Sequence, residues 1–264
     1  MNAKINNKNV IITGASGGIG EKMALRVAEN GGNLALIARS AERLEALKEK
    51  ISRQFQVKVE TYRLDVSEFE KVPKVFSSIL EEFQSIDVLI NNAGYGVFDE
   101  AHEARFEDIK GMFDVNVLGL VACTQQVLPH MRERRSGHIV NIASQAGKLA
   151  TPKSSAYAAS KHAVLGFTNS LRMEASQSGV YVTSVNPGPI ATNFFSIADK
   201  SGSYVKNVEK FMLDPERVAV KVIDALFTRK REVNLPRWMN FGSAIYQLAP
   251  RIVERLGKNA FYKK

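Results

Sequence analysis

Six short apolar runs punctuate the chain: NVIIT at 9–13, NLALIA at 33–38, VKVETYRL at 57–64, DVLIN at 87–91, HIVNIA at 138–143 and VYVTSVN at 180–186. Amphipathic or mixed stretches of helix length lie between them, at 40–54, 68–84, 104–134 and 155–177. Strands that are apolar on both faces need cover on both faces, and helices linking consecutive strands supply it. The pattern therefore predicts a doubly wound α/β fold on a mostly parallel sheet. No repeat, low-complexity tract or Pro/Gly-rich linker divides the 264 residues, and 45% hydrophobic content suffices for one substantial core. A single domain over 1–264 is the expectation. Within it, 193–212 mixes Ser, Gly and Asp with Phe and Tyr at weak periodicity, and reads as a mobile lid beside the core.

Composition narrows the function classes. One cysteine, Cys123, rules out an internal disulfide framework, and with four scattered histidines it offers no metal-ligand cluster. A reducing, cytoplasmic setting is expected, with no metal. The N-terminus MNAKINNKNV lacks the apolar run of a signal peptide, and about 18 uninterrupted apolar residues occur nowhere. The formal charge is +9, and from Arg229 to Lys264 nine Lys or Arg face two Glu. Such an excess attracts anionic partners, nucleic acid or lipid, without choosing between them. A solvated basic tail is the commoner case, and no nucleic-acid recognition motif accompanies the charge. The basic extension 237–264 sets Trp238, Phe241, Ile245, Tyr246 and Leu248 beside arginines, with Pro250 breaking or kinking any helix there. It could rest weakly on an anionic membrane or pack on the sheet or a second subunit; packing is the commoner use of such a pattern.

The first apolar run leads into TGASGGIG, with glycines at 14, 17, 18 and 20, and a helical pattern follows from Glu21. Glycine permits tight turns and close approach to a ligand, and a helix N-terminus offers unpaired N–H groups to phosphate. A glycine turn between strand and helix therefore reads as a pyrophosphate site. The second run ends in IARS, placing Arg39 where an acid would grip the ribose 2′-hydroxyl of NAD. A guanidinium there can clamp a 2′-phosphate, so NADP is favoured and NAD less so; Ser16, Ser40 and Arg43 could assist.

Ligands of open α/β sheets collect beyond the carboxyl ends of the strands. Asp65, NNAG at 91–94, Ser144 and NPGPIAT at 186–192 each follow a run. Asn116, within FDVNVLG, is odd because Asn is a mediocre helix former among apolar neighbours, and a buried Asn needs partners. Tyr157 and Lys161 stand at i and i+4, on one helix face. An ordinary exposed pair has the same spacing; a functional one lowers the tyrosine pKa, and reaching 7 from 10 takes roughly 4 kcal/mol.

TGASGGIG, NNAG, Asn116, Ser144, Tyr157-x-x-x-Lys161 and Pro187-Gly188 together resemble the short-chain dehydrogenase/reductase family, in order and spacing, over about residues 8 to 192. The resemblance implies a Rossmann-like domain with a seven-stranded parallel sheet and hydride transfer between NAD(P) and a carbonyl or alcohol. It implies Tyr157 as general acid/base, Ser144 positioning the substrate oxygen, Lys161 holding the nicotinamide ribose and lowering the tyrosine pKa, and Asn116 supporting a relay water. Asp65 would meet the adenine, Val66 would join the cofactor site, and Asn92, Ala93 and Gly94 would line the path from adenosine to nicotinamide. Thr192 would contact the carboxamide, and Ile19, Pro187, Gly188 and Ile190 would also line the cofactor site. A homodimer or homotetramer is implied as well. Candidate walls for an apolar small-molecule carbonyl or alcohol are Tyr95, Phe98, Gln145, Leu149, Phe194, Phe195, Tyr204, Phe211 and Met212. A non-catalytic NADP-binding regulator on the same fold is the alternative, together with a membrane-associated reductase of a lipid-like substrate.

Overall fold

A computed structural model describes residues 4–199 and 202–261, with the backbone alone for 203–205 and 256–261. Seven strands form one parallel sheet: β1 (Asn9–Thr13), β2 (Asn33–Ala38), β3 (Val59–Arg63), β4 (Val88–Asn91), β5 (Gly137–Ile142), β6 (Val180–Pro187) and β7 (Glu232–Leu235). Their order is β3-β2-β1-β4-β5-β6-β7. The chain builds outward from β1 to β3, then returns to start again at β4 on the other side of β1. Loops leaving β1 and β4 thus part in opposite directions, and the crevice between them is the ligand position of this topology.

Helices α1 (Gly18–Glu29), α2 (Ala41–Gln54) and α9 (Pro215–Ile223) cover one face; α3 (Val72–Phe83), α5 (Leu120–Glu133) and α6 (Ser155–Ser176) cover the other. Side chains alternate along a strand. Val10 and Ile12 accordingly join Met23, Val27 and Val222 in one layer, while Ile11 joins Phe76, Ile79, Cys123 and Val127 in the other. Burial pushes the Cys123 thiol up to about 12, the state of a core residue rather than a reactive one.

Two local features differ from expectation, the start of α1 and the stretch 104–134. Helix α1 begins at Gly18 rather than Glu21, because the Gly17 carbonyl accepts the first helical N–H, from Glu21, at 3.3 Å. The stretch read as one helix over 104–134 is α4 (Phe106–Phe113), a π-helical turn (Asp114–Gly119) and α5. By length and composition Phe106–Glu133 could cross a membrane, yet Cys123, Val127 and Met131 lie in the sheet core. Segment 193–212, the expected lid, carries α7 (Phe194–Ala198), α8 (Ser203–Val208) and a 3-10 turn at Glu209–Phe211. The Phe98 N–H donates to the Ala198 carbonyl at 2.9 Å, tying α7 to the loop after β4. Beyond β7 come α10 (Arg237–Leu248) and α11 (Pro250–Phe261), and Pro250 opens the second after a break at Ala249.

No apolar run announces β7 (EVNL), because its polar residues serve a partly buried network. Lys148 Nζ donates to Glu232 Oε2 at 2.5 Å, Asn234 Oδ1 at 3.0 Å and Asn240 Oδ1 at 2.9 Å, binding β7 and α10 to the segment after β5. Bonds from Lys148 and Asn234 hold the Glu232 carboxyl below its usual range despite opposing desolvation.

Candidate active site

The glycine turn has the geometry that its residues allow. Gly14 adopts φ +64°, and a Cβ there would sit 2.9 Å from Ala93 Cα. A Cβ on Gly20 would strike the Gly14 carbonyl oxygen. Thr13 and Asn92 hold this turn against the end of β4. Thr13 Oγ1 accepts the N–H groups of Asn92 and Ala93, both at 3.0 Å. Asn92 Nδ2 donates to the carbonyls of Thr13 at 2.9 Å and Gly14 at 3.0 Å. With glycine at the N-cap, no side chain caps the first turn of α1, so its N–H groups can receive an anion.

Arg39 lies at the far end of the same crevice. Its side chain is 74% exposed and reaches Asp65 at 3.9 Å, a distance that leaves most guanidinium donors available to another anion. Asp65 Oδ1 accepts from the N–H and hydroxyl of Ser67, at 3.0 and 2.7 Å. Ser40 Oγ caps α2 by accepting the Arg43 N–H at 3.4 Å, which leaves its own proton to donate. Tyr95 stands near Gly111, within electrostatic reach of Asp108, Arg39 and Asp65. Its phenol is raised above its ordinary value by burial first and Asp108 second.

At the other end, Tyr157 and Lys161 project from α6. Both are buried, so they are not the ordinary exposed pair that shares their spacing. Lys161 Nζ donates to the Ile142 carbonyl at 2.9 Å and lies 5.9 Å from the Tyr157 ring centroid. Burial lowers the lysine pKa to about 8. Ser144 Oγ accepts the Ala146 N–H at 3.0 Å, with the Pro187 carbonyl 3.4 Å away. Gln145 Nε2 donates to the Asn186 carbonyl at 2.9 Å, fixing its amide against β6.

Asn116 sits behind this group. The wider π-turn carries it inward, where Oδ1 accepts the Tyr95 N–H at 3.0 Å and Nδ2 donates to the Tyr95 carbonyl at 2.9 Å. Nδ2 also meets Ser160 Oγ at 3.1 Å, and that hydroxyl donates to the Tyr157 carbonyl at 2.7 Å. Asn116 therefore links the loop after β4 to the helix holding Tyr157, and π-turns recur where such placement is needed.

Aromatic rings surround the phenol. Phe98 and Phe194 each lie 5.7 Å from Tyr157 between ring centroids, and Phe195 is 5.3 Å from Phe194. A Cβ on Gly96 would be 2.9 Å from Phe194 and 3.0 Å from Tyr157. Gly188 is comparably confined, a Cβ there falling 2.7 Å from Met239 Sδ.

The two ends belong to one cleft of about 1240 Å³. Every catalytic, cofactor and substrate position expected from the sequence lines it except Gly20 and Asn116, which lie outside its lining. Leu149, Phe98, Phe195 and Phe211 also line it, whereas Met212 does not; the Tyr204 side chain lies outside the described residues. Thr13, Ser160, Trp238, Met239 and Val253 belong to the site's surroundings beyond the residues expected from the sequence. A Thr immediately before the first glycine was a usable signal; nothing local distinguishes Ser160. Among the described residues no group of three or more His, Cys, Asp or Glu could hold a metal ion.

The model of the short chain dehydrogenase family matches residues 8–201, the segment carrying the glycine turn, Asn116, Ser144, Tyr157 and Lys161. The chain belongs to the short-chain dehydrogenase/reductase family. It is an oxidoreductase acting on CH–OH or C=O groups. An NADP-dependent 3-hydroxy acid dehydrogenase of Schizosaccharomyces pombe is 34% identical over 238 residues, covering 88% of this chain and 91% of that protein. One from Salmonella typhi is 36% identical over 220 residues, covering 81% and 86%. The alcohol dehydrogenase of Thermococcus sibiricus, complexed with 5-hydroxy-NADP, matches with TM-score 0.79 at 29% identity, over 87% of this chain and 96% of that one.

In the cofactor-free protein, Lys161 makes stability depend on alkaline pH. The unfolded chain keeps this proton to about pH 10.5, and the folded chain releases it near 8. Between those values the unfolded state binds more protons, so the burial penalty of about 3 kcal/mol fades as pH rises. Unfolding midpoints of wild type and Lys161→Met should diverge most below pH 8, with the variant more stable, and converge towards pH 10.5. A constant difference across that range would contradict the shift.

Proposed function

We propose an NADP(H)-dependent oxidoreductase that interconverts a ketone or aldehyde and an alcohol on an apolar small molecule, with Tyr157 as general acid/base. The observation that carries the reading is the single cleft with Arg39 at one end and the buried Tyr157–Lys161 pair at the other. The uncapped N-terminus of α1 follows β1, which stands between β2 and β5 in the sheet, and suits a pyrophosphate. Arg39 suits a 2′-phosphate, in keeping with the NADP-dependent relatives. A nicotinamide held along this cleft supplies or accepts the hydride.

The chain's own residues supply the rest. In reduction, Tyr157 Oη gives its proton to the carbonyl oxygen; in oxidation it takes the proton of the hydroxyl. The Ser144 hydroxyl donates to the same oxygen and stabilises the charge that develops there. The Lys161 ammonium favours phenolate over phenol, and Asn116 holds the backbone on which Tyr95 and Tyr157 are set. Phe98, Phe194, Phe195 and Leu149 wall the reacting end with apolar surface. An apolar ketone, aldehyde or alcohol suits that wall.

A panel of carbonyls and alcohols, followed at the reduced-nicotinamide absorbance with NADPH and NADH, tests the reading. Turnover of apolar ketones with NADPH preferred is the expected result. Lys206 and Lys210 line the outer cleft and could meet a carboxylate, so 3-hydroxy acids belong in the panel. Preference for them would replace the apolar substrate, and binding of NADPH without turnover of any member would favour a regulator. The exposed outer face of α6, with Ala159, His162, Gly166 and Ser170, is narrow enough for close helix packing and supports a homodimer or homotetramer. Buried Cys123 is compatible with a reducing, cytoplasmic setting.

A further inference from the structure

Helix α10 exposes an apolar stripe. Trp238, Phe241, Ile245 and Leu248 follow spacings of three, four and three, which places them on one helical face. They are 60, 71, 40 and 87% exposed. The helix cannot simply roll to hide them, because its other face is engaged. Asn240 accepts from Lys148, Ser243 is buried, and Met239 packs against Gly188. Helix α11 then doubles back, with Tyr246 Oη donating to Glu254 at 3.1 Å. It adds Ile252, 59% exposed, to the apolar surface.

Charge decides what fits this surface. Arg237, Arg251 and Arg255 are exposed on the hairpin, and Glu254 is the acid among its described residues. Two copies facing each other through this hairpin would oppose like charges on a chain already at +9. An anionic bilayer complements both components, taking the apolar stripe below the headgroups and the arginines among them. Tryptophan is also suited to that boundary, with an apolar ring and a polar N–H.

We propose that the α10–α11 hairpin docks the enzyme on an anionic lipid bilayer. The stripe is continuous with the cleft: Trp238 lines it and stands 6.2 Å from the Phe211 ring, itself a lining residue 56% exposed. Docking therefore sets the mouth of the cleft at the bilayer surface. The surface itself does not depend on which carbonyl is reduced.

Trp238 is the sole tryptophan of the chain, so its emission reports directly on this helix. Full-length protein is titrated with vesicles of phosphatidylcholine alone and of phosphatidylcholine containing phosphatidylglycerol, while sedimentation gives the oligomeric state without lipid. A blue shift and vesicle co-sedimentation confined to the anionic vesicles, weakening with salt, are the expected results. Replacing Phe241 and Leu248 together by Ser should weaken partitioning at least tenfold and leave turnover of a water-soluble carbonyl unchanged, since neither lines the cleft. The proposal falls if anionic vesicles leave the emission unmoved, or if the double variant binds them as tightly as wild type. It falls equally if Trp238 is already blue-shifted in a lipid-free oligomer that the double variant dissociates, which would make a second copy the occupant.

Discussion

Tyr157→Phe should lower turnover by about 10²–10⁴-fold, the usual range for losing a general acid/base, with NADPH affinity nearly unchanged. The substitution removes one oxygen and keeps the ring. Contacts to Phe98 and Phe194, both at 5.7 Å between centroids, are those of the ring and survive. The bond from Ser160 reaches the backbone carbonyl of residue 157 and is likewise untouched. Loss should therefore appear in kcat rather than in folding or cofactor binding. Steady-state rates together with NADPH titration by nucleotide fluorescence separate these quantities, and a variant as active as wild type would place the proton donor elsewhere.

Arg39→Asp should reverse nucleotide preference, changing the NADPH-to-NADH ratio of kcat/KM by about 10²-fold or more. Charge-assisted hydrogen bonds contribute about 1.5–3 kcal/mol, and every 1.4 kcal/mol is tenfold. The substitution removes that clamp and adds repulsion. Asp65 is already 3.9 Å from the guanidinium, so a second carboxylate here would make the site still less hospitable to a 2′-phosphate. The same carboxylate can accept from a 2′-hydroxyl, which restores binding of the unphosphorylated nucleotide. Preference for NADH in the wild type, or an unmoved ratio in the variant, would remove the role assigned to Arg39.

Much of the fold was legible because apolar runs and parallel strands are the same physical fact. All six runs became strands, within one or two residues at their ends. β7 escaped because Glu232 and Asn234 are selected by Lys148, a contact across 84 residues of chain. The π-turn escaped because hydrophobic periodicity does not register one extra residue in a helix. Asn116 nonetheless stands out in the sequence, since a polar side chain among apolar neighbours demands partners, and Tyr95 and Ser160 are those partners. Pro250 acted as read, dividing α10 from α11.

Local chemistry was written in the order of residues: a glycine turn between strand and helix, a cation after the second strand, a tyrosine one helical turn before a lysine. Each follows from backbone sterics or charge, which act over a few residues and so leave a local pattern. Tertiary structure alone decided what those residues meet. It buried Lys161 and Tyr157, stood Phe98 and Phe194 around the phenol, and kept Gly20 and Asn116 out of the cleft lining. It also turned the stripe of α10 outward, because Lys148, far earlier in the chain, holds the other face of that helix. Burial and desolvation are properties of assembled surfaces, so no short stretch of sequence carries them.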